Sequence, residues 1–312
     1  MGTICQVNLY GEGRPELYSR VFSRLGELEG ILSANLEGSD LDMVNKNAGQ
    51  WPVKVRAELI VVLEKALEYA ERSGGFFDPG VGPLVKLWGI GTDDARIPHS
   101  EEIQEALKLI DYREIEINKN EGTVFLKRPG MALELGGIAK GYAADEAKRL
   151  LATEGVKRAI VDLGGNIYAM GERKGKAGSD ETYWRIGIQD PRTDRGNYIG
   201  ILRVKNKSVV TSGTYERFFE EDGKRYHHIF STESGFPVDN GLMSVTIAAD
   251  NSIDADALST TAFALGWERA RTLIVETSGA TGIFVFDDLS VRITGALKDD
   301  FSLTAAEYRI KN

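Results

Sequence analysis

The chain has 312 residues, enough to bury a sizeable core in one large or two ordinary domains. Its 38 Lys plus Arg face 47 Asp plus Glu, and a net charge of −9 without a dense basic block excludes a protein that works by neutralising nucleic acid phosphates. A single cysteine, Cys5, rules out an internal disulfide and a Cys-based zinc site, while 42% apolar residues rule out dominant disorder. No run approaches the ~18 apolar residues of a membrane span, and Met1-Gly2-Thr3 is not followed by a basic and then an apolar segment, so the chain as it stands reads as soluble.

In chain order, residues 4–10 alternate as a strand, and Leu17, Val21, Leu25, Leu28 and Leu32 recur at helical spacing over 16–32. A stronger helix is predicted from Val53 to Arg72 and stopped by Ser73-Gly74-Gly75. Ser100 reads as the cap of a short helix through Ile110. IEIN and TVFL flank Lys119-Asn120-Glu121-Gly122 as a hairpin, followed by a strand at 131–135. A helix over 139–151 leads to strands at 157–163 and 167–170, then to a charged, Gly-rich exposed loop at 171–182. Further strands are predicted at 184–188, 199–204, 207–211, 225–230 and 243–249, with Asp222-Gly223 as a hairpin turn. A helix from Asp256 ends at Gly266, a second runs from Trp267 to Thr277, and IFVFD and SVRIT close the chain as paired strands. Without regular βαβ alternation or a linker, the fold class is α+β, a single large mixed domain over 1–312 with two lobes.

Three segments carry chemistry. ELGGIAKGYAAD (134–145) runs from a strand into a helix with two glycines and Lys140, which suits either a phosphate or a plain strand-to-helix turn; it is neither GxxxxGK[ST] nor GxGxxG. Its opening recurs as Asp162-Leu163-Gly164-Gly165-Asn166-Ile167, and two such strand ends would line one cleft. In DNSIDADALSTTAFALG (250–266), Ala255 and Thr261 stand where a calcium loop needs Gly and Glu, so that reading fails. Asp256 and Thr260, at i and i+4, share a helical face and offer two hard oxygens to Mg²⁺; the competing reading is an N-terminal cap. The third is Thr211-Ser212-Gly213 with RYHHI. Only one of His227 and His228 can face a site on a strand, and alternation does not decide which.

Taken together, these segments resemble the ApbE flavin transferases over nearly the whole chain. The matching stretches are Met1-Gly2-Thr3, SDLDMVN ending at Asn45, FFDPGVGPLVKLWGIG (76–91), ELGGIAKGYAAD, VDLGGN, TSGTYERF, RYHHIFSTESGFPV and DADALSTTAFALG. The resemblance implies a nucleotide cleft between the two lobes and transfer of FMN from FAD to a Thr or Ser of an acceptor protein, releasing AMP. It implies Mg²⁺ held by Asp256, Thr260 and the carbonyl of Gly137, and flavin-nucleotide contacts at Met1, Phe77, Asp78, Glu134, Lys140 and Ile229. His228 becomes the candidate for proton transfer or diphosphate contact, and Asn45 the position that influences whether FAD is cleaved or held. The alternatives are an FAD pyrophosphatase, with water as nucleophile, and a protein that stores FAD without cleaving it. A periplasmic, lipid-anchored parent is expected from the family, with a cytosolic form as the alternative. The resemblance lapses at Asn35, where the family often has Tyr, and at Phe230-Ser231-Thr232-Glu233-Ser234-Gly235, where it usually reads Asp-Pro after His-Ile.

Overall fold

The computed structural model describes residues 2–11, 14–173 and 182–311. Most predicted elements are present: a strand at Cys5–Leu9, helices at Pro15–Leu32 and Ala139–Thr153, and the hairpin of Ile115–Asn118 with Thr123–Leu126. The predicted 171–182 loop lies largely outside the described residues.

Four differences stand out: three follow from a partner distant in the chain and one from a local cap. The helix predicted from Val53 begins at Ala57: Val53–Lys54 pairs with Thr123 and Val124, and the backbone N–H of Arg56 donates to Asp40 at 2.7 Å. His99, not Ser100, precedes the next helix, its N–H donating to the Glu102 carboxylate at 2.8 Å, and that helix closes at Leu107. The strand predicted at 131–135 reduces to one bridge, Ala132 with Val81, because the backbone of Leu133 bonds to the Asn45 side chain instead. The final helical region starts four residues early, at Ser252, and runs to Glu276 through a kink at the expected break, Gly266, whose φ of 72° lies in the left-handed region.

The chain divides into two compact units. One comprises residues 26–139 and 214–239; the other comprises 2–25, 140–213 and 240–311 of the described residues.

The second unit is built on an eight-stranded sheet whose spatial order follows the chain: Cys5–Leu9, Ala159–Leu163, Asn166–Met170, Lys207–Gly213, Leu242–Ala249, Thr281–Phe286, Ser290–Gly295 and Arg309–Ile310. Every pair is antiparallel except the last. Strand alternation then sorts the side chains into two layers. Val209, Ala248, Ile283 and Val285 meet a smaller sheet through Trp184, Ile186, Ile199 and Leu202. On the opposite face Val210, Ser212, Val245, Ile247 and Phe284 turn toward the Ser252–Glu276 helix, where Ser212 bonds to Ser259.

Two helices of this unit meet at a glycine. A Cβ on Gly141 would sit 2.3 Å from the carbonyl oxygen of Ser252 and 2.7 Å from the Cβ of Asp256, so a larger residue would force the helices apart. One turn later the Asp145 carboxylate accepts from the N–H groups of Ser252 and Ile253, each at 2.9 Å. The orphan donors of the second helix are thus capped from outside it, while its own N-cap, Asn251, makes no side-chain cap bond.

The first unit carries the three-stranded sheet of Val53–Lys54, Thr123–Leu126 and Ile115–Asn118, the Phe218–Glu221/Lys224–His227 hairpin, and a core around Trp88, Leu84, Ile103 and Phe230. Trp88 also donates through Nε1 to the carbonyl of Gly235 at 2.9 Å.

Replacing Asp145 by Ala should lower the unfolding free energy by about 1–2 kcal/mol, because two helix-terminal N–H groups lose their acceptor. Urea titration followed by far-UV circular dichroism measures it, and an unchanged midpoint would show that water caps this helix equally well.

Candidate active site

In the second unit the Asp256 carboxylate is the centre of the candidate site. It is 3% exposed, and burial pushes its pKa up, with the Lys140 ammonium as the main opposing influence. Its Oδ2 accepts from the N–H of Gly141 at 2.8 Å, and its Oδ1 lies 3.9 Å from Lys140 Nζ. The Asn166 side chain also favours the charged form. Asn166 is held by its other end, where Ser252 Oγ donates to Oδ1 at 2.6 Å and Ser208 Oγ donates in turn to Ser252 at 2.8 Å.

Thr260, one turn along the helix from Asp256, has its hydroxyl 3.3 Å from Ser212 Oγ. Asp256 lies in the second turn of the helix, so the capping reading does not describe it; Asp145 has that part. A buried carboxylate with a raised pKa and a hydroxyl at i+4 fit a hard divalent cation, which would offset the cost of keeping Asp256 charged. Among the described residues no cluster of three His, Cys, Asp or Glu could hold a metal, so a cation at Asp256 would take its remaining ligands from hydroxyl, carbonyl, substrate or water oxygens.

The other site residues of the Lys140 segment and its surroundings fall in the first unit. Glu134 Oε1 accepts from the N–H of Gly136 at 2.8 Å, shaping the turn in which Gly136 is exposed and Gly137 half-buried. Asp162 similarly accepts from Gly165 at 2.8 Å. The likeness of the two segments ends there: Gly164 and Gly165 have positive φ and lead into a strand, whereas Gly136 and Gly137 lead into a helix.

Asp78 is buried, with Oδ1 accepting from Gly80 at 2.7 Å and Oδ2 from Tyr112 at 2.9 Å; burial nonetheless pushes its pKa up to about 6. Phe77 is buried beside it, its N–H donating to Ser73 Oγ at 3.0 Å. Met1 lies outside the described residues.

The two histidines differ sharply. His227 is 4% exposed, its Nε2 is 2.9 Å from the carbonyl of Val238, and its Nδ1 accepts from the N–H of Ile229. Burial lowers its pKa, which suits a neutral ring serving the backbone. His228 is only half-buried, with Nδ1 3.2 Å from the carbonyl of Arg217. A ring that donates from Nδ1 to a carbonyl carries a basic Nε2, the form a general base needs. Ile229 is 6% exposed.

Asn45 spends its carboxamide on one residue: Nδ2 donates to the carbonyl of Leu133 at 3.0 Å, and Oδ1 accepts from the N–H of Leu133 at 2.7 Å. Where the family has Asp-Pro, Ser231 Oγ accepts from the N–H groups of Glu233 and Ser234 at 3.3 and 3.2 Å, and Thr232 donates to the carbonyl of Gly75 at 2.8 Å. A serine turn thus replaces the missing segment.

The sequence model described as the ApbE family matches residues 1–284. The chain belongs to the ApbE family. It is 41% identical to a Treponema pallidum protein named FAD:protein FMN transferase, over 99% of this chain and 88% of that one. A Klebsiella pneumoniae protein of the same name is 36% identical over 99% of this chain and 94% of its own. The fold is similar to the crystal structure of the ApbE protein from Thermotoga maritima, with a TM-score of 0.83, 32% identity and 94% of each chain covered.

In this ApbE-family chain the residues that sequence reading passed over are the supporting ones, Gly141, Asp145, Asn166 and Ser259, while Ser212, a candidate hydroxyl in the sequence, finds its partners only in the fold. Gly141 and Asp145 sit inside the quoted ELGGIAKGYAAD segment, but nothing in their spacing marks them as partners of a helix more than 100 residues away.

Two measurements follow from this geometry. Asn45→Ala should cost about 1–3 kcal/mol of unfolding free energy, because the buried N–H and C=O of Leu133 lose their partner together; an equal midpoint in guanidinium would show that the clamp is replaced by water. Asp78 has a folded-state pKa of about 6, above the ordinary carboxylate value, so the folded state holds its proton more tightly and stability from this group falls as pH rises. The advantage of wild type over Asp78→Ala should therefore shrink between about pH 4 and pH 6 and level off above. A difference that grows over that interval would show that the two N–H donors outweigh burial.

Proposed function

We propose that this chain is an FAD:protein FMN transferase, moving FMN from FAD onto a Thr or Ser hydroxyl of an acceptor protein with a divalent cation, Mg²⁺, at Asp256 and Thr260. The observation that carries the reading is the buried Asp256 carboxylate, held by Gly141 beside Lys140, in a chain 41% identical to a protein of that name.

In this reading the acceptor oxygen forms a bond to the FMN phosphorus while the bond from that phosphorus to the AMP oxygen breaks, and AMP leaves with the negative charge. His228 takes the hydroxyl proton at Nε2, supported by the carbonyl of Arg217 at its Nδ1. Lys140 places a cation where the diphosphate charge is to be met, and its distance from Asp256 is short enough for the two to balance before substrate arrives. Asp256 and Thr260 would hold Mg²⁺, with the Gly137 carbonyl as the further ligand that the family resemblance implies, and the bound ion would supply charge neutralisation of the diphosphate. Phe77, Asp78, Glu134 and Ile229 are proposed to line the flavin nucleotide; the turn held by Glu134 and the loop held by Asp78 are the backbone they shape for it. Asn45 is proposed to act through Leu133, whose backbone it clamps, in deciding whether FAD is cleaved or held. The family resemblance supports a periplasmic, lipid-anchored location; no described helix is long and apolar enough to cross a membrane.

The test is incubation with FAD, Mg²⁺ and an acceptor domain, reading AMP by chromatography and the acceptor by mass spectrometry. Wild type should release AMP as the acceptor gains FMN, and Asp256→Ala or excess EDTA should lower the rate by about 100-fold or more. AMP with free FMN and an unmodified acceptor would identify a pyrophosphatase, FAD retained intact would identify a storage protein, and undiminished turnover in Asp256→Ala would remove the metal from the reading.

A further inference from the structure

Thr260 can serve a cation only through a lone pair, so the destination of its hydrogen matters. A hydroxyl has one hydrogen to donate and two lone pairs. Ser259 Oγ donates to the carbonyl of Asp256 at 2.9 Å, so toward Ser212 Oγ, 2.8 Å away, it can only accept. Ser212 must then donate to Ser259, and toward Thr260 Oγ1, 3.3 Å away, it too can only accept. The hydrogen of Thr260 is directed to Ser212, which leaves both lone pairs of Thr260 for other partners.

The usual course for a threonine inside a helix is different: it donates back to the carbonyl four residues earlier, as Thr261 does to Ala257 at 2.7 Å and Thr153 to Arg149 at 3.0 Å. For Thr260 that carbonyl belongs to Asp256, and Ser259 already uses it. Ser259 is fully buried, and Ser212 stands on the helix-facing side of its strand beside Val210 and Val245, where an apolar residue would pack without needing a partner.

We propose that Ser212 and Ser259 are positioning residues whose one-way hydroxyl relay, from Thr260 to the carbonyl of Asp256, sets Thr260 as a pure acceptor toward the divalent cation. This rests on the metal reading given above. The relay begins and ends on the two residues of that site, so it also ties the Thr260 side chain to the Asp256 backbone.

The experiment is Mn²⁺ titration of the whole chain, without FAD or acceptor, followed by electron paramagnetic resonance of the free ion, with melting temperatures in EDTA measured alongside. Ser212→Ala and Ser259→Ala should each raise the Mn²⁺ Kd by about tenfold. The double variant should raise it no further than either single one, because each break severs the same relay. Ser212→Thr, which keeps the hydroxyl, should bind Mn²⁺ as wild type does. Wild-type Kd values in the two alanine variants, with or without a lower melting temperature, would overturn the relay and leave the residues merely structural; so would fully additive effects. Binding that Asp256→Ala leaves unchanged would instead overturn the metal reading itself, an outcome distinct from binding that needs Asp256 and ignores Ser212.

Discussion

The close approach of Gly141 to the Ser252–Glu276 helix is the constraint on which the second unit's chemistry depends. Only a residue without a Cβ lets the backbone come near enough for its N–H to reach the Asp256 carboxylate at 2.8 Å. The same helix, one turn on, supplies Asp145 to cap Ser252 and Ile253. Ser252 then passes the arrangement to the sheet through Asn166 and Ser208. Position, cap and support thus come from one helix pair meeting at a glycine.

What that contact holds in place is electrostatically expensive. A carboxylate taken out of water tends toward its neutral form unless cations and N–H donors compensate. Here Lys140 at 3.9 Å, the Gly141 N–H and the Asn166 amide oppose the burial, and Asp256 still has a raised pKa. A stability-driven sequence would place an apolar residue there. Retaining the charge fits the proposed role of Asp256 as a group that receives a cation, and the hydroxyls around Thr260 fit the same proposal.

The first unit uses similar side chains in a different way. Asp78, Glu134, Asn45 and His227 each bond to backbone N–H or C=O groups of an irregular segment, and so perform the satisfaction that strands or helices would otherwise give. Asn45 is the clearest case, since its carboxamide replaces the strand partner that Leu133 lacks. Loop segments pinned this way can present backbone to a ligand without the freedom of ordinary loops.

The sequence by itself determined most of the helix and strand types, the α+β class, the break at Gly266 and the i, i+4 relation of Asp256 and Thr260, because these follow from local periodicity and from residues a few positions apart; the short helices Asp40–Lys46 and Gly82–Trp88 carry too little periodicity to be read this way. Family-specific motifs extended this to the quoted segments and carry the proposal of His228 over His227, a choice that strand alternation left open. Tertiary structure alone decided the rest. Whether residues 131–135 form a strand turned on Asn45, nearly 90 positions away, and whether the last helix begins at Ser252 turned on Asp145, more than 100 away. The hydroxyl order from Thr260 through Ser212 to Ser259 depends on which face of a central strand meets the helix, and that follows from register between strands. Local spacing carries no information on such contacts, since a hydrogen bond between distant residues depends on where the fold brings their atoms, not on how far apart they lie along the chain.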